Sequence, residues 1–386
     1  MKNRLEIFLF IDALGWKIVN THRFMESELP HRKPLGMQFG YSCSAIPTLL
    51  SGKTPSEHGH LSLFRFDPEN SPFKIFSRLA FLFKPDSFWS RGRVRNWLSK
   101  IVKKVYGFTG YFQLYAMPIK KLSLMDYSEK RDLFAKSGMS PLENLYDMLE
   151  KTGVAFHISD WHKSDAENFA AAESAIKGGA RFLFVYTAEL DALLHEHVGD
   201  FKTVEKKLAA YAEKIRSLLG VCKAQCPNFR LTVVSDHGMT PLKKTVDAMS
   251  AIEKTGLVFG RDYGACYDST MARFTYVSDC AKGTIERAMS AFDDCGHFLS
   301  EDEQRRYGVY RADGFFGDAI FLFEAGIQIS PSDMGVKPLN GMHGYAPEDS
   351  DSVASILSTE PLPENVETLA DVFAMMKRAA SELAEK

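Results

Sequence analysis

Leu5-Glu6-Ile7-Phe8-Leu9-Phe10-Ile11-Asp12 is the stretch on which the fold turns. Nearly every position from Leu5 to Ile11 is apolar, which is the pattern of a strand covered on both faces, and it runs straight into a carboxylate. Similar short runs recur at Val154–Ile158, Arg181–Tyr186 and Arg230–Ser235, with helical patterns between them at Pro141–Lys151 and Val204–Cys226. Alternation of this kind predicts an α/β fold with a mostly parallel sheet and helices on both faces. The informative polar residues Asp12, Asp191, Asp236 and His237 fall at or just beyond the C-terminal ends of these strands. Open α/β sheets bind ligands along that edge.

The chain has 386 residues, more than one core of ordinary size absorbs. Residues 1–60, 140–255 and 337–386 read as the core. Residues 61–139 show no clear strand–helix unit and read as an inserted cap. Residues 256–336 alternate short strands with one helix, Lys282–Phe292, and read as a small α+β insertion. Hydrophobic residues make up 45% and charged residues 25%, a globular composition that argues against disorder and fibres. No run reaches the ~20 apolar residues of a membrane span. The opening apolar run is too short for a secretory signal and meets Asp12. The six cysteines form no CxxC pair, so reduced thiols and a cytoplasmic location are expected.

Four separated pieces carry chemistry. They are Asp12 at the first strand end, the stretch Ser42 to Gly59, the Asp191-x-x-x-His195 pair, and Asp236-His237-Gly238 together with His343-Gly344. Each alone is ordinary, since carboxylates and histidines are common at helix starts and in loops. Together they supply hard oxygen and borderline nitrogen donors, a set suited first to Zn²⁺ and then to Mn²⁺. Asp191 and His195, four apart, share a helix face and can reach one ion. Asp236 and His237 at a strand end can reach a second.

These pieces, in this order, resemble the alkaline phosphatase superfamily, and within it the type I phosphodiesterase/nucleotide pyrophosphatase branch. The resemblance implies a hydrolase of phosphate esters with two divalent metal ions. Asp191, His195 and His343 would hold one ion, and Asp12, Ser42, Asp236 and His237 the other. Carried over from the family, the nucleophile stands ten residues before the glycine of Ser51-Gly52-Lys53-Thr54-Pro55-Ser56-Glu57-His58-Gly59, which selects Ser42, with Ser44 as the second choice. The branch usually has Thr there. A serine opening a helix lies where unpaired N–H groups favour anions, so the backbone N–H of Cys43 would contact a phosphoryl oxygen. The C-x-P-S-R pattern of sulfatases and the N-S-E-x-G-H pattern of phosphoglycerate mutases are absent. A phosphodiesterase or pyrophosphatase leads; a phosphomonoesterase of the same superfamily and a non-catalytic binder of anionic ligands are the alternatives.

From Pro72 to Met125 the chain carries eleven Lys or Arg and one acid, Asp86, for a charge of +10, so the remainder bears −12 of the total −2. Twelve aromatic residues are interleaved. Trp97, Leu98, Ile101, Val102 and Val105 fall on one helix face, with Lys100, Lys103 and Lys104 largely off it. One reading is a cap that buries its aromatics and leaves its cations in water. The other is a surface for an anionic partner, either a nucleotide- or lipid-linked phosphate or a membrane surface. No nucleic-acid-binding module is recognisable.

Overall fold

The computed structural model describes residues 4–83, 89 and 91–385, so Lys84 and Asp86 of the basic segment lie outside it. In chain order the elements that matter are β1 (Leu5–Ile11), β2 (His31–Leu35), α1 (Ser42–Ser51), β3 (Phe64–Phe66), α2 (Gly92–Tyr106), β4 (Met125–Tyr127), α3 (Leu145–Thr152), β5 (Phe156–Ile158), α4 (Asp165–Lys177), β6 (Phe182–Thr187), α5 (Glu189–His197), α6 (Phe201–Gln225) and β7 (Phe229–Val234). They continue with β8 (Tyr263–Tyr267), β9 (Met271–Tyr276), α7 (Ala281–Met289), β10 (Gly296–Phe298), β11 (Ala319–Phe323), β12 (Ala354–Ser358) and α8 (Leu369–Ala384).

A six-stranded sheet in the order β2-β12-β7-β1-β6-β5 forms the centre. β1 lies parallel between β6 and β7, β5 extends the parallel set, and β12 runs antiparallel to both β7 and β2. The two-residue period of β1 feeds two cores at once. Ile7, Leu9 and Ile11 join the helices α4 and α6 through Phe169, Ala172, Val204, Leu208 and Ile215. Phe8 and Phe10 join α1, α3 and α8 through Leu49, Leu149, Val372 and Met376. Glu6, the polar exception in the strand, is buried and ion-paired to Arg4 and Arg230 at 2.6 and 2.8 Å.

The α/β architecture, mostly parallel with helices on both faces, is the one expected. Several boundaries differ. The helix expected from Pro141 starts at Leu145, where Asn144 and Asp147 close a capping box. The one expected from Val204 starts at Phe201, where the Asp200 side chain accepts from the Thr203 N–H. The helix expected over Lys282–Phe292 is α7, followed by a 3₁₀ turn from Ser290. Strands β2 and β12 had no apolar signature strong enough to announce them; β2 is His-Arg-Lys-Pro-Leu, and an edge strand tolerates both the charges and Pro34.

The stretch 61–139 holds regular structure after all. β3 and β4 pair antiparallel, and α2 packs Leu98 and Val102 into an aromatic cluster with Phe73, Phe112 and Tyr127. The expected single apolar face of this helix is divided. Leu98 and Val102 are buried, while Trp97, Ile101 and Val105 are 58, 38 and 74% exposed. The physical reason is rotation: Trp97, Ile101 and Val105 repeat every fourth residue beside the buried row, and the cluster beneath accommodates only one row. The second sheet, antiparallel in the order β8-β9-β11-β10, carries α7 on a core of Phe274, Ile285 and Phe321.

Candidate functional site

The parallel strands aim their C-terminal ends at one cavity of about 590 Å³. β1 ends at Asp12, α5 follows β6 and carries Asp191 and His195, and β7 ends just before Asp236 and His237. His343 arrives from a loop far along the chain, whose short strand Gly341–Met342 pairs with Thr240–Pro241. Two glycines let these loops meet. A Cβ on Gly344, at φ +90°, would fall 2.5 Å from the Tyr41 ring, and one on Gly15 would fall 2.3 Å from the Cα of Gly238.

The seven residues singled out from the sequence converge. Asp191, His195 and His343 offer ligand atoms within 4.8 Å of one another, and so do Asp12, Asp191 and His237. The second grouping has Asp191 where the resemblance put Asp236, so Asp191 lies between the two clusters. Asp236 stays adjacent, with Oδ2 3.2 Å from Nε2 of His237, and Asp12 Oδ1 lies 3.5 Å from the same nitrogen. The rings of His237 and His343 stack with centroids 3.7 Å apart.

These side chains fit divalent ions. Asp12 Oδ1, Asp191 Oδ1, Asp236 Oδ2 and His343 Nδ1 are buried without a hydrogen-bond partner, an arrangement that costs free energy unless something else satisfies them. Nδ1 of His195 is 2.9 Å from the Gly341 carbonyl and Nδ1 of His237 is 2.9 Å from that of Gly238. Such contacts fix the tautomer and leave each Nε2 free to coordinate. The electrostatics agree. Burial, then the neighbouring carboxylates, pushes Asp12 well above the usual carboxyl range. Burial also raises Asp236. For Asp191 burial opposes ionisation, but the hydrogen bond and charge of His195, with His343 and His237, outweigh it and lower the pKa. Burial and the adjacent His237 hold His343 well below the ordinary imidazole value.

Ser42 is the first residue of α1, and its Oγ is 3.0 Å from Nε2 of His237. The N–H groups of Ser42 and Cys43 belong to the opening turn, where a helix provides no backbone acceptor. The Cys43 thiol is held well above its ordinary pKa by burial, so what Cys43 presents is its backbone rather than a nucleophile. Ser44, the second choice, is fully buried and donates to the Phe39 carbonyl at 2.9 Å, a packing role. His58 is likewise buried, 3.1 Å from the Thr48 hydroxyl.

Other residues around the site gave no sequence signal. The Tyr41 hydroxyl accepts from the Thr270 N–H at 3.0 Å, and Thr270 Oγ1 donates to the Gly344 carbonyl at 2.6 Å, tying α1, the second sheet and the His343 loop together. Asp268 and Arg273 form an ion pair at 2.8 Å. From 61–139 the cavity receives Tyr111, Tyr115, Glu129 and Phe134. No pattern of spacing links these positions; they meet because separate elements fold over one edge.

No curated protein sequence matches this chain significantly. Among solved structures, murine ectonucleotide pyrophosphatase/phosphodiesterase 5 superimposes with a TM-score of 0.67 at 13% identity, covering 97% of this chain and 95% of that one. An inactive form of the murine protein in complex with AMP also gives 0.67 at 14% identity, over 98% and 95%. The human protein gives 0.64 at 12%, over 97% and 94%. At these identities the likeness speaks for the fold. The family model for type I phosphodiesterase/nucleotide pyrophosphatase matches residues 39–346, from just before Ser42 to just past His343. With most of its length inside that match, the chain belongs to the type I phosphodiesterase/nucleotide pyrophosphatase family and is a hydrolase acting on phosphoric ester bonds.

Proposed function

We propose that the protein hydrolyses phosphodiesters by nucleophilic attack of Ser42 on phosphorus. The observation that carries this reading is the Ser42 hydroxyl on the first residue of α1, 3.0 Å from His237, in the same cavity as the clustered carboxylates and imidazoles. The Ser42 Oγ–phosphorus bond forms as one ester P–O bond breaks, and the leaving alcohol takes up a proton. Water then attacks the phosphoryl-serine, releasing a phosphate monoester and restoring the hydroxyl. The N–H groups of Ser42 and Cys43 orient the phosphoryl oxygens. Asp191, His195 and His343 would hold one divalent ion and Asp12, Asp236 and His237 a second, with Zn²⁺ the first choice for this donor set. Bound there, the ions would lower the hydroxyl pKa and offset the negative charge of the reacting phosphate.

A diester carries one negative charge and a monoester up to two. Among the described residues lining the cavity, Lys337 is the only Lys or Arg, and it is exposed, which favours the less charged substrate. The AMP complex of the murine relative supports a nucleotide-type group on one arm. The exposed row Trp97, Ile101 and Val105, with exposed Arg93, Lys100 and Lys104 on the same helix and no acid in it, supports contact of α2 with an anionic surface.

Turnover of bis(p-nitrophenyl) phosphate against p-nitrophenyl phosphate by wild type and Ser42→Ala tests the reading. The diester should be preferred, and Ser42→Ala should lose several orders of magnitude in kcat while keeping its metal. An active Ser42→Ala protein overturns the assignment of the nucleophile, and a monoester preference moves the protein to the phosphomonoesterases.

A further inference from the structure

The three histidines of the site are not oriented alike. His195 and His237 each have Nδ1 2.9 Å from a backbone carbonyl. His343 makes no such bond through either ring nitrogen among the described residues. Its Nδ1 is buried without a partner, and its Nε2 stands 3.6 Å from Asp191 Oδ1, beyond hydrogen-bond range. A ligand histidine is ordinarily oriented by a hydrogen bond on its second nitrogen. The His343 ring is held instead by packing and by the backbone beside it. It stacks on His237 and meets the Tyr41 ring edge-on, with centroids 5.8 Å apart. Gly344, the next residue, rests against the same tyrosine ring, and its carbonyl accepts from Thr270 Oγ1 at 2.6 Å.

The protons around Thr270 follow from the partners. A carbonyl only accepts, so the Thr270 hydroxyl proton points to Gly344. Thr270 Oγ1 then accepts from the Tyr41 hydroxyl at 2.8 Å, whose oxygen accepts in turn from the Thr270 N–H at 3.0 Å. Burial holds the Tyr41 hydroxyl well above the usual phenol range, so that proton stays in place. Three bonds close on one residue with no donor left over. The turn that carries Thr270, between β8 and β9, is itself fixed. The Thr270 carbonyl accepts from the Phe323 N–H at 3.0 Å and that of Ser269 from the Ile329 N–H at 2.8 Å. Asp268, two residues earlier, is braced by Arg273. A rigid post therefore stands between two loops, one leading from Tyr41 into Ser42, the other from His343 into Gly344.

We propose that Thr270 and Tyr41 are positioning residues: their bonds orient His343 and fix its distance from the Ser42 hydroxyl. The small antiparallel sheet thereby places the ion of Asp191, His195 and His343 against the nucleophile. The proposal rests on the reading of Ser42 as nucleophile and of His343 as metal ligand. Neither positioning residue needs to touch substrate, since a misplacement of about 1 Å at a reacting centre costs on the order of a hundredfold in rate.

The test uses Tyr41→Phe and Thr270→Val, which each delete a hydroxyl and nearly keep the shape, and Thr270→Ser, which keeps the hydroxyl. The zinc-supplied proteins are titrated with a competing chelator and assayed on bis(p-nitrophenyl) phosphate. Both deletions should let one of the two ions go about tenfold more readily and leave the other unchanged, as for lost support of a ligand histidine. kcat should fall about tenfold to a hundredfold while KM stays within about twofold. The visible absorption of the Co²⁺-loaded protein should change with it. Thr270→Ser should restore all three readouts, and the double deletion should be little worse than either single one, because each opens the same circuit. Tyr41→Phe, which leaves Thr270 in place, decides the matter if Thr270→Val does not fold. Wild-type metal affinity and kcat in the deletions overturn the proposal. So does a Thr270→Ser protein as impaired as Thr270→Val, or weakening of both ions and of KM alike, the mark of a merely structural role. A wild-type protein that takes up no zinc fails the underlying reading instead, before any variant is compared.

Discussion

The buried ion pair between Asp268 and Arg273 braces the cavity wall, and cutting it makes a quantitative test. Both side chains are almost completely buried, at 3 and 2% exposure. Arg273 Nε donates to Asp268 at 2.8 Å and Nη2 to the Phe64 carbonyl at 2.5 Å. Asp268 also accepts from the Ser62 hydroxyl, so the pair joins β9 to the start of β3. Asp268→Ala leaves a guanidinium buried without its counter-charge, and breaking such a pair costs about 3–5 kcal/mol. Each kcal/mol shifts the melting temperature of a 150–250-residue protein by about 2–4 °C, and a longer chain by less, so a fall of about 5–10 °C is expected. Differential scanning calorimetry and urea unfolding measure it. Replacing both partners, Asp268→Leu with Arg273→Met, should recover most of the loss, because the unpaired charge goes with the pair. Asp268→Ala melting within about 1 °C of wild type would refute the reasoning, as would a double variant less stable than either single one.

Chelation should abolish diester hydrolysis and Zn²⁺ or Mn²⁺ should restore it; full turnover in metal-free protein would remove the two-ion reading. Asp191→Asn should release the ion held with His195 and His343 and weaken the second, because Asp191 also lies within reach of Asp12 and His237; elemental analysis that finds both ions fully retained would remove Asp191 from the ligand set. Neutralising Arg93, Lys100 and Lys104 should weaken sedimentation with phosphatidylserine vesicles, and the wild-type effect should fade at high salt as exposed charges are screened beyond ~10 Å at 0.1 M. Trp97→Ser with Ile101→Ser should weaken it at every salt concentration. Vesicle binding absent in wild type at low salt rules that surface out.

The division between what the sequence fixes and what folding adds follows from the range of each signal. β1 was legible because a strand buried on both faces must be apolar throughout, and its alternate residues indeed feed two different cores. The spacing of Asp191 and His195 was legible because helix geometry alone puts them on one face. His343 and Asp12 have no such local link, and only the known order of pieces in related proteins joined them. The helix α2 shows the limit of periodicity: its apolar residues were visible, but which of two adjacent rows is buried depends on the aromatic cluster beneath it. Tyr41, Asp268 and Arg273 were silent for the same reason. An acid or a tyrosine in a sequence says nothing about its surroundings. Only where chain segments far apart in sequence close over the C-terminal edge of one sheet do burial, lost partners and neighbouring charge give these residues a role.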